Sequence, residues 1–174
     1  MIILALGSNL DSAFGDRYKN IDLAISYLEK YKIDVTKKSS YYETPSYPDV
    51  TKPKYINMVI SANTNLSPEN LAYSIIDIEK KLERRRKYKN EPRTLDIDII
   101  DYKGLLLNFK LGNLDFVVPH EKLSLRNFVL IPLKEIMPYW KHPKTNEMIK
   151  TLIKNLPDED SKSILKIEKT WYDS

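Results

Sequence analysis

The sequence predicts an α+β fold: a ferredoxin-like β-α-β-β-α-β core, its mainly antiparallel sheet covered by helices, with C-terminal additions. Three observations predict it. Short runs such as "YINMVISAN" at 55–63 alternate with the period of a strand. Two longer stretches, one with Ile21, Ala24, Ile25 and Leu28 and one with Leu71, Ile75, Ile78 and Leu82, repeat at helical spacing. The order strand, helix, strand, strand, helix, strand is that of a split β-α-β unit.

The first strand is "IILAL"; it stops at Gly7 and lacks a basic leader, so it reads as a strand and not as a signal peptide. A polar loop to about Asp16 leads into the first helix. The segment Ile33 to Glu43 and the run at 55–63 form two strands, separated by a loop carrying Pro45, Pro48 and Pro53. Ser67 followed by Pro68 starts the second helix, a capping hydroxyl and then a residue whose missing N–H costs nothing in the first turn. A linker ending in Pro92 leads to the strand "LDIDII". Lys103-Gly104 is a tight turn into "LLLN", and "VVPH" at 117–120 opens a loop. Two further helical stretches follow, one broken by Pro132 and one near 146–155. The closing "KTWYDS" is expected to add a small packing strand.

Composition narrows the class. The chain has 174 residues, 42% of them hydrophobic, enough for one domain spanning 1–174 with a substantial core. It has no cysteine, which excludes disulfides and thiolate metal sites. No apolar run approaches membrane-spanning length. A net charge of +4 favours anionic partners only weakly, but "KKLERRRKYK" at 80–89 concentrates positive charge just before the acidic strand.

That strand carries the chemistry. In "EPRTLDIDII", Leu95, Ile97 and Ile99 share one face, while Asp96 and Asp98 share the other with Ile100. A half-solvated acidic face has the same pattern, yet like charges this close repel unless water or a divalent cation intervenes. Only four glycines are present, and no glycine-rich phosphate loop is among them. A nucleotide would therefore be held by arginines and metal, for which the guanidinium fork is suited. Tyr55 and Asn57 share a strand face, where a ring and an amide can hold a flat heterocycle. Two histidines, His120 and His142, are too few for a histidine-rich metal site.

Taken together, "LALGSNL", "SSYYETP", "YIN", "EPRTLDIDII" and "VPHEKLSLRNFVLIPLKEI" resemble the 6-hydroxymethyl-7,8-dihydropterin pyrophosphokinases of folate biosynthesis, over most of the chain to about residue 140. "PRTLDIDI" is the most specific piece. The resemblance implies transfer of the pyrophosphoryl group of ATP to the hydroxymethyl oxygen of a reduced pterin, releasing AMP. It implies that Asp96 and Asp98 bind two magnesium ions that bridge the triphosphate. It further implies a pterin slot flanked by Tyr55 and Phe128, with Asn57 and the segment Thr44, Pro45, Ser46 and Tyr47 reading the polar edge. Glu79, His120 and Arg126 match ATP contacts, the backbone near Ile99 is positioned for adenine, and Lys89 stands where an arginine is common. Arg84, Arg86 and Arg93 match arginines that handle phosphate. Departures from the pattern are Asn90 and Glu91 before "PR", where tryptophan and glycine are frequent, together with Ile76 and Glu121.

The expected partners are these two small molecules, with no nucleic acid and no membrane, for a cytoplasmic monomer. A basic RNA-binding module is the rival from another class. Paired aspartates on its binding sheet would repel phosphate, and the aromatic string of such modules is missing. A different metal-dependent phosphotransferase or nuclease shares the aspartates alone.

Overall fold

Two capped helices and one alternating sheet make the frame. The computed structural model describes residues 1–168, so the strand expected of "KTWYDS" lies outside the described residues. The elements are β1 Ile2–Ser8, α1 Arg17–Lys30, β2 Asp34–Lys38, β3 Tyr41–Thr44, β4 Tyr55–Asn63, α2 Pro68–Lys81, β5 Asp96–Tyr102, β6 Leu107–Leu111, β7 Leu114–Val118, α3 Asn127–Ile136, α4 Ile149–Lys154, α5 Asp158–Ser163 and β8 Leu165–Ile167. Asp16 caps α1 by accepting the Lys19 N–H at 2.9 Å, and Ser67 caps α2 by accepting that of Asn70 at 3.2 Å.

Among the described residues the main sheet has six strands. Across it β5 pairs β1, β1 pairs β4, and β2 and β3 both pair along β4, with β8 outside β3. Every pairing is antiparallel. Alternation divides the side chains between two faces. Leu4, Leu6, Met58, Ile60, Ile97 and Ile99 pack under α1 and α2, whereas Ile3, Ala5, Val59 and Ile100 pack under α3 and α4. A bulge opposite Ile3 and Leu4 keeps Asp101 near that second face, where its carboxylate accepts the Trp140 indole N–H at 2.8 Å.

Three local expectations are corrected. The segment 33–43 is two strands, because at Ser39 the hydroxyl takes the Val59 N–H at 3.0 Å and interrupts the ladder. Pro132 does not break α3, which runs through it from Asn127 to Ile136. A mid-helix proline costs about 3 kcal/mol, and the buried Val129, Leu130, Leu133 and Ile136 return about 1.5–3 kcal/mol each. Finally, the last two residues of "LLLN" and the "VV" pair belong to one hairpin, β6 and β7, closed at Gly112 with φ +58° and pinned by stacking of Phe109 on Phe116.

Candidate active site

Cross-strand register builds the site from residues far apart in sequence. Asp96 pairs with Gly7, Gly7 with Asn57, and Asn57 with Tyr42, so one row crosses four strands. Helix α3 packs on the neighbouring residues Ala5 and Val59. The row itself borders a cleft of about 210 Å³ walled by Thr44, Pro45, Tyr47, Tyr55, Asn57, Arg93, Asn127 and Phe128. At 4.7–4.9 Å per strand, the backbones of Asp96 and Asn57 stand about 10 Å apart. Only glycine lies between them. A Cβ on Gly7 would sit 3.4 Å from Asn57 Oδ1 and 3.5 Å from the Tyr55 ring, so its absence leaves a flat floor. The Asn57 amide nitrogen donates to Thr44 Oγ1 at 2.8 Å and to the Tyr42 carbonyl at 3.3 Å, which fixes the side chain and turns its oxygen toward that floor.

A second cleft, of about 310 Å³, lies on the α2 side of β5. Glu79, Arg84, Arg86, Ile99, His120 and the β7 residues Leu114–Val118 line it. Asp96, Asp98, Arg93 and Arg126 border both clefts. The two aspartates therefore stand at the junction.

Each carboxylate at the junction has a guanidinium. Arg84 donates to Asp96 Oδ1 at 2.5 Å and to Glu79, and Arg93 donates to Asp96 Oδ2 at 3.1 Å. Arg126 reaches Asp98 at 3.2 Å and the His120 ring at 3.2 Å. Burial alone would raise Asp96, but Arg84 and Arg93 hold it below the ordinary aspartate range. Asp98 has one weaker partner, so burial and the neighbouring Asp96 lift it to about 6. Glu79, buried and facing Asp96, is pushed up to about 7 although Arg84 and Arg86 oppose the shift. His120 is lowered by burial and by Arg126, and its Nδ1 accepts the Lys122 N–H at 3.0 Å.

The chain path explains how Arg84 arrives there. After α2, Glu83 adopts φ +67° and reverses the chain, so that the Arg84 N–H donates back to the Glu79 carbonyl at 2.9 Å. Arg93 is fixed by Asn9, which is 1% exposed: Asn9 Oδ1 accepts the Arg93 N–H at 2.8 Å and its amide donates to the Pro53 carbonyl at 3.1 Å. One buried amide thus ties the proline-rich loop to the arginine loop.

Most of the sequence-expected residues meet at these clefts. Ser46 is buried but lies off the slot wall, and Lys89 lies in a separate basic hollow with Arg84, Arg85, Arg86 and Arg93. Asn90 has φ +60°, a conformation that asparagine tolerates better than the tryptophan frequent there. Glu91 closes the same loop by accepting the Lys87 N–H at 2.6 Å. Sequence reading did not single out Gly7, Asn9, Asn127 or the β7 wall. For β7 a signal exists, since Leu107, Phe109 and Leu111 alternate into Gly112-Asn113 and out through Leu114, Phe116 and Val118. The others depend on register.

Among the described residues no group of three or more histidine, cysteine, aspartate or glutamate side chains is placed to hold a metal. Two carboxylates suit a hard cation such as magnesium, which usually takes one or two of them and completes its shell with phosphate oxygens and water. Fold and site thus define an α+β protein in which an arginine-lined cleft and a flat-floored slot meet at two aspartates. Residues 3–138 match the family model described as 7,8-dihydro-6-hydroxymethylpterin-pyrophosphokinase. The 2-amino-4-hydroxy-6-hydroxymethyldihydropteridine pyrophosphokinase of Aquifex aeolicus is 37% identical over 142 residues, 82% of this chain and 83% of that protein. The Synechocystis protein of the same name is 34% identical over 155 residues, covering 88% and 75%. Folic acid synthesis protein FOL1 of Dictyostelium discoideum is 33% identical over 158 residues, which is 91% of this chain but only 23% of that longer protein. In fold, the chain is similar to the crystal structure of wild-type Plasmodium falciparum HPPK-DHPS, with a TM-score of 0.70 at 15% identity over 88% of this chain and 44% of that one. The chain belongs to the 7,8-dihydro-6-hydroxymethylpterin-pyrophosphokinase family.

Proposed function

We propose that this protein transfers the terminal pyrophosphoryl group of ATP to the hydroxymethyl oxygen of 6-hydroxymethyl-7,8-dihydropterin, releasing AMP, as a step of folate biosynthesis. Family membership supports the reaction, and one observation supports the placement: the row Asp96, Gly7, Asn57, in which no side chain stands between the carboxylate and the amide. In this reading the pterin lies on Gly7 between Tyr55 and Phe128, its polar edge toward Asn57 and the Thr44 to Tyr47 segment. ATP occupies the cleft of Glu79, Ile99, His120 and Arg126, with Lys89 joining when its loop approaches.

The hydroxymethyl oxygen attacks the β-phosphorus, the bond from that phosphorus to the bridging oxygen of AMP breaks, and the hydroxyl proton passes to water. No protein nucleophile is required. Arg84, Arg86 and Arg93 offset charge on the transferred group and the leaving AMP oxygen. Asp96 and Asp98 would hold two magnesium ions, which when bound polarise phosphate oxygens and neutralise charge. For that, Arg84, Arg93 and Arg126 exchange carboxylate partners for phosphate, an exchange between anions of like geometry. The same reading makes 1–174 one domain, active as a monomer in the cytoplasm. Among the described residues no helix is long and apolar enough to cross a membrane.

Incubation with ATP, magnesium and 6-hydroxymethyl-7,8-dihydropterin should release AMP with the diphosphorylated pterin. Release of ADP, or turnover without the pterin, would overturn the reading.

A further inference from the structure

Helix α5 buries none of its own side chains, and its sequence Asp158, Glu159, Asp160, Ser161, Lys162, Ser163 offers no apolar stripe. A helix of six residues does not hold itself in water. It is fastened instead through Asn127, 8% exposed, whose amide nitrogen donates to the Asp160 carbonyl at 2.6 Å and to Ser163 Oγ at 3.2 Å. Ser163 donates in turn to the Asp160 carbonyl at 2.9 Å, which closes a small polar ring. Asn127 is the first residue of α3, lines the 210 Å³ slot, and lies between Arg126, which reaches Asp98, and Phe128, the slot wall. The Arg126 guanidinium lies 5.7 Å from the Phe128 ring centre.

The chain leaving α5 then forms β8, which pairs Leu165 to Ile167 with Glu43 to Tyr41 on β3. The next residue of β3 is Thr44, whose hydroxyl holds the Asn57 amide. The segment 157–168 therefore touches both walls of the slot, one through Asn127 and one through β3, without lining the slot itself.

We infer that residues 157–168 form a clamp that positions the walls of the pterin slot, with Asn127 as its positioning residue on α3. The inference rests on the proposed pterin slot and adds to it a part of the chain beyond the family match, which ends at residue 138. The clamp acts on the second substrate before the nucleotide, because Asn127, which it holds directly, and Thr44, next along the strand it pairs, line the slot and are absent from the walls of the nucleotide cleft.

The test uses the full chain with Asn127→Ala and Ser163→Ala. Pterin is titrated calorimetrically in the presence of magnesium and a non-hydrolysable ATP analogue, and the analogue is titrated separately. Loss of Asn127 should weaken pterin binding about tenfold, the scale of one lost hydrogen bond. Ser163→Ala should weaken it about two- to fivefold. Analogue binding should stay within about twofold for both. An effect of Ser163→Ala on pterin alone is the distinguishing result, since Ser163 lies outside the slot. If Asn127→Ala weakens pterin and Ser163→Ala does nothing, Asn127 acts by direct contact and the clamp is overturned; equal losses for pterin and analogue overturn it as general loosening. No change in either variant also overturns it. Failure of the unsubstituted protein to bind pterin would remove the functional reading and the clamp with it.

Discussion

Arg84 is shared between Glu79 and Asp96, and neither carboxylate is fully neutralised by it. Burial, then Asp96, raises Glu79 from 4.5 to about 7. A carboxyl raised in this way binds its proton more tightly in the folded state. The stability it contributes is complete below about 4.5 and is lost as pH rises through about 7. With a side chain only 3% exposed, the loss by pH 8 is on the order of 3 kcal/mol. Glu79→Gln keeps the shape without the titration, so urea unfolding should show it gaining on the wild type between pH 5 and pH 8. A constant difference between the two proteins across that range would mean that Glu79 is already ionised at pH 5. Gly7 makes the opposite trade. Its missing Cβ meets only ordinary contacts, so Gly7→Ala should leave stability unchanged or raise it by about 0.5–1 kcal/mol. A methyl group on the slot floor should nevertheless weaken pterin binding about tenfold and spare the ATP analogue. Undiminished pterin affinity in calorimetry would move the ring away from this row.

Among the elements, those set by local rules were legible in the sequence. Ser67-Pro68 announced α2, and the stripes of α1 and α2 gave their buried faces, because caps and periodicity are properties of neighbouring residues. The end of α1 follows local rules too. The Lys32 N–H donates to the Glu29 carbonyl at 3.1 Å and that of Ile33 to Leu28 at 3.1 Å, a Schellman ending with Lys32 at φ +62°. A left-handed lysine costs about 1–2 kcal/mol, and glycine there gives back about 0.5–1 kcal/mol through the freer unfolded chain. Lys32→Gly should therefore stabilise by about 0.5–1 kcal/mol on denaturant titration, with turnover unchanged because Lys32 lies away from both clefts. Destabilisation would show that the lysine side chain does more than cover the helix end. Less legible was anything decided by a distant partner: the division between β2 and β3 rests on Val59, and the continuity of α3 through Pro132 rests on a face packed against Ile3 and Val59. Composition around these points reads as a plain strand and a broken helix.

At the scale of the molecule, the site exists only because antiparallel register brings residues 7, 57 and 96 into one row. The sequence carried the residue types at Asp96, Asp98, Tyr55 and Asn57, and the family resemblance assembled them, whereas the row, and Gly7 as its gap, belong to the sheet. Ligand binding is consequently linked to folding of the whole sheet. A ligand at 100 times its dissociation constant stabilises by about 2.7 kcal/mol, which for a chain of this size raises the unfolding midpoint by about 5–10 °C. The triphosphate of ATP, however, would meet the Asp96 and Asp98 carboxylates, and the arginines around them are already engaged with those carboxylates. Without a divalent cation, a triphosphate at this junction meets two carboxylates and has to draw the arginines away from them, leaving those carboxylates unpaired. A non-hydrolysable ATP analogue with magnesium should therefore raise the midpoint by the full amount, and the same analogue with a chelator in excess should raise it by less than about 2 °C. In Asp96→Asn with Asp98→Asn, the carboxylate repulsion and the metal ligands go together, so the midpoint shift should no longer depend on the chelator. A wild-type shift that survives chelation undiminished would show that arginines alone hold the triphosphate, and the two aspartates would lose their place in nucleotide binding.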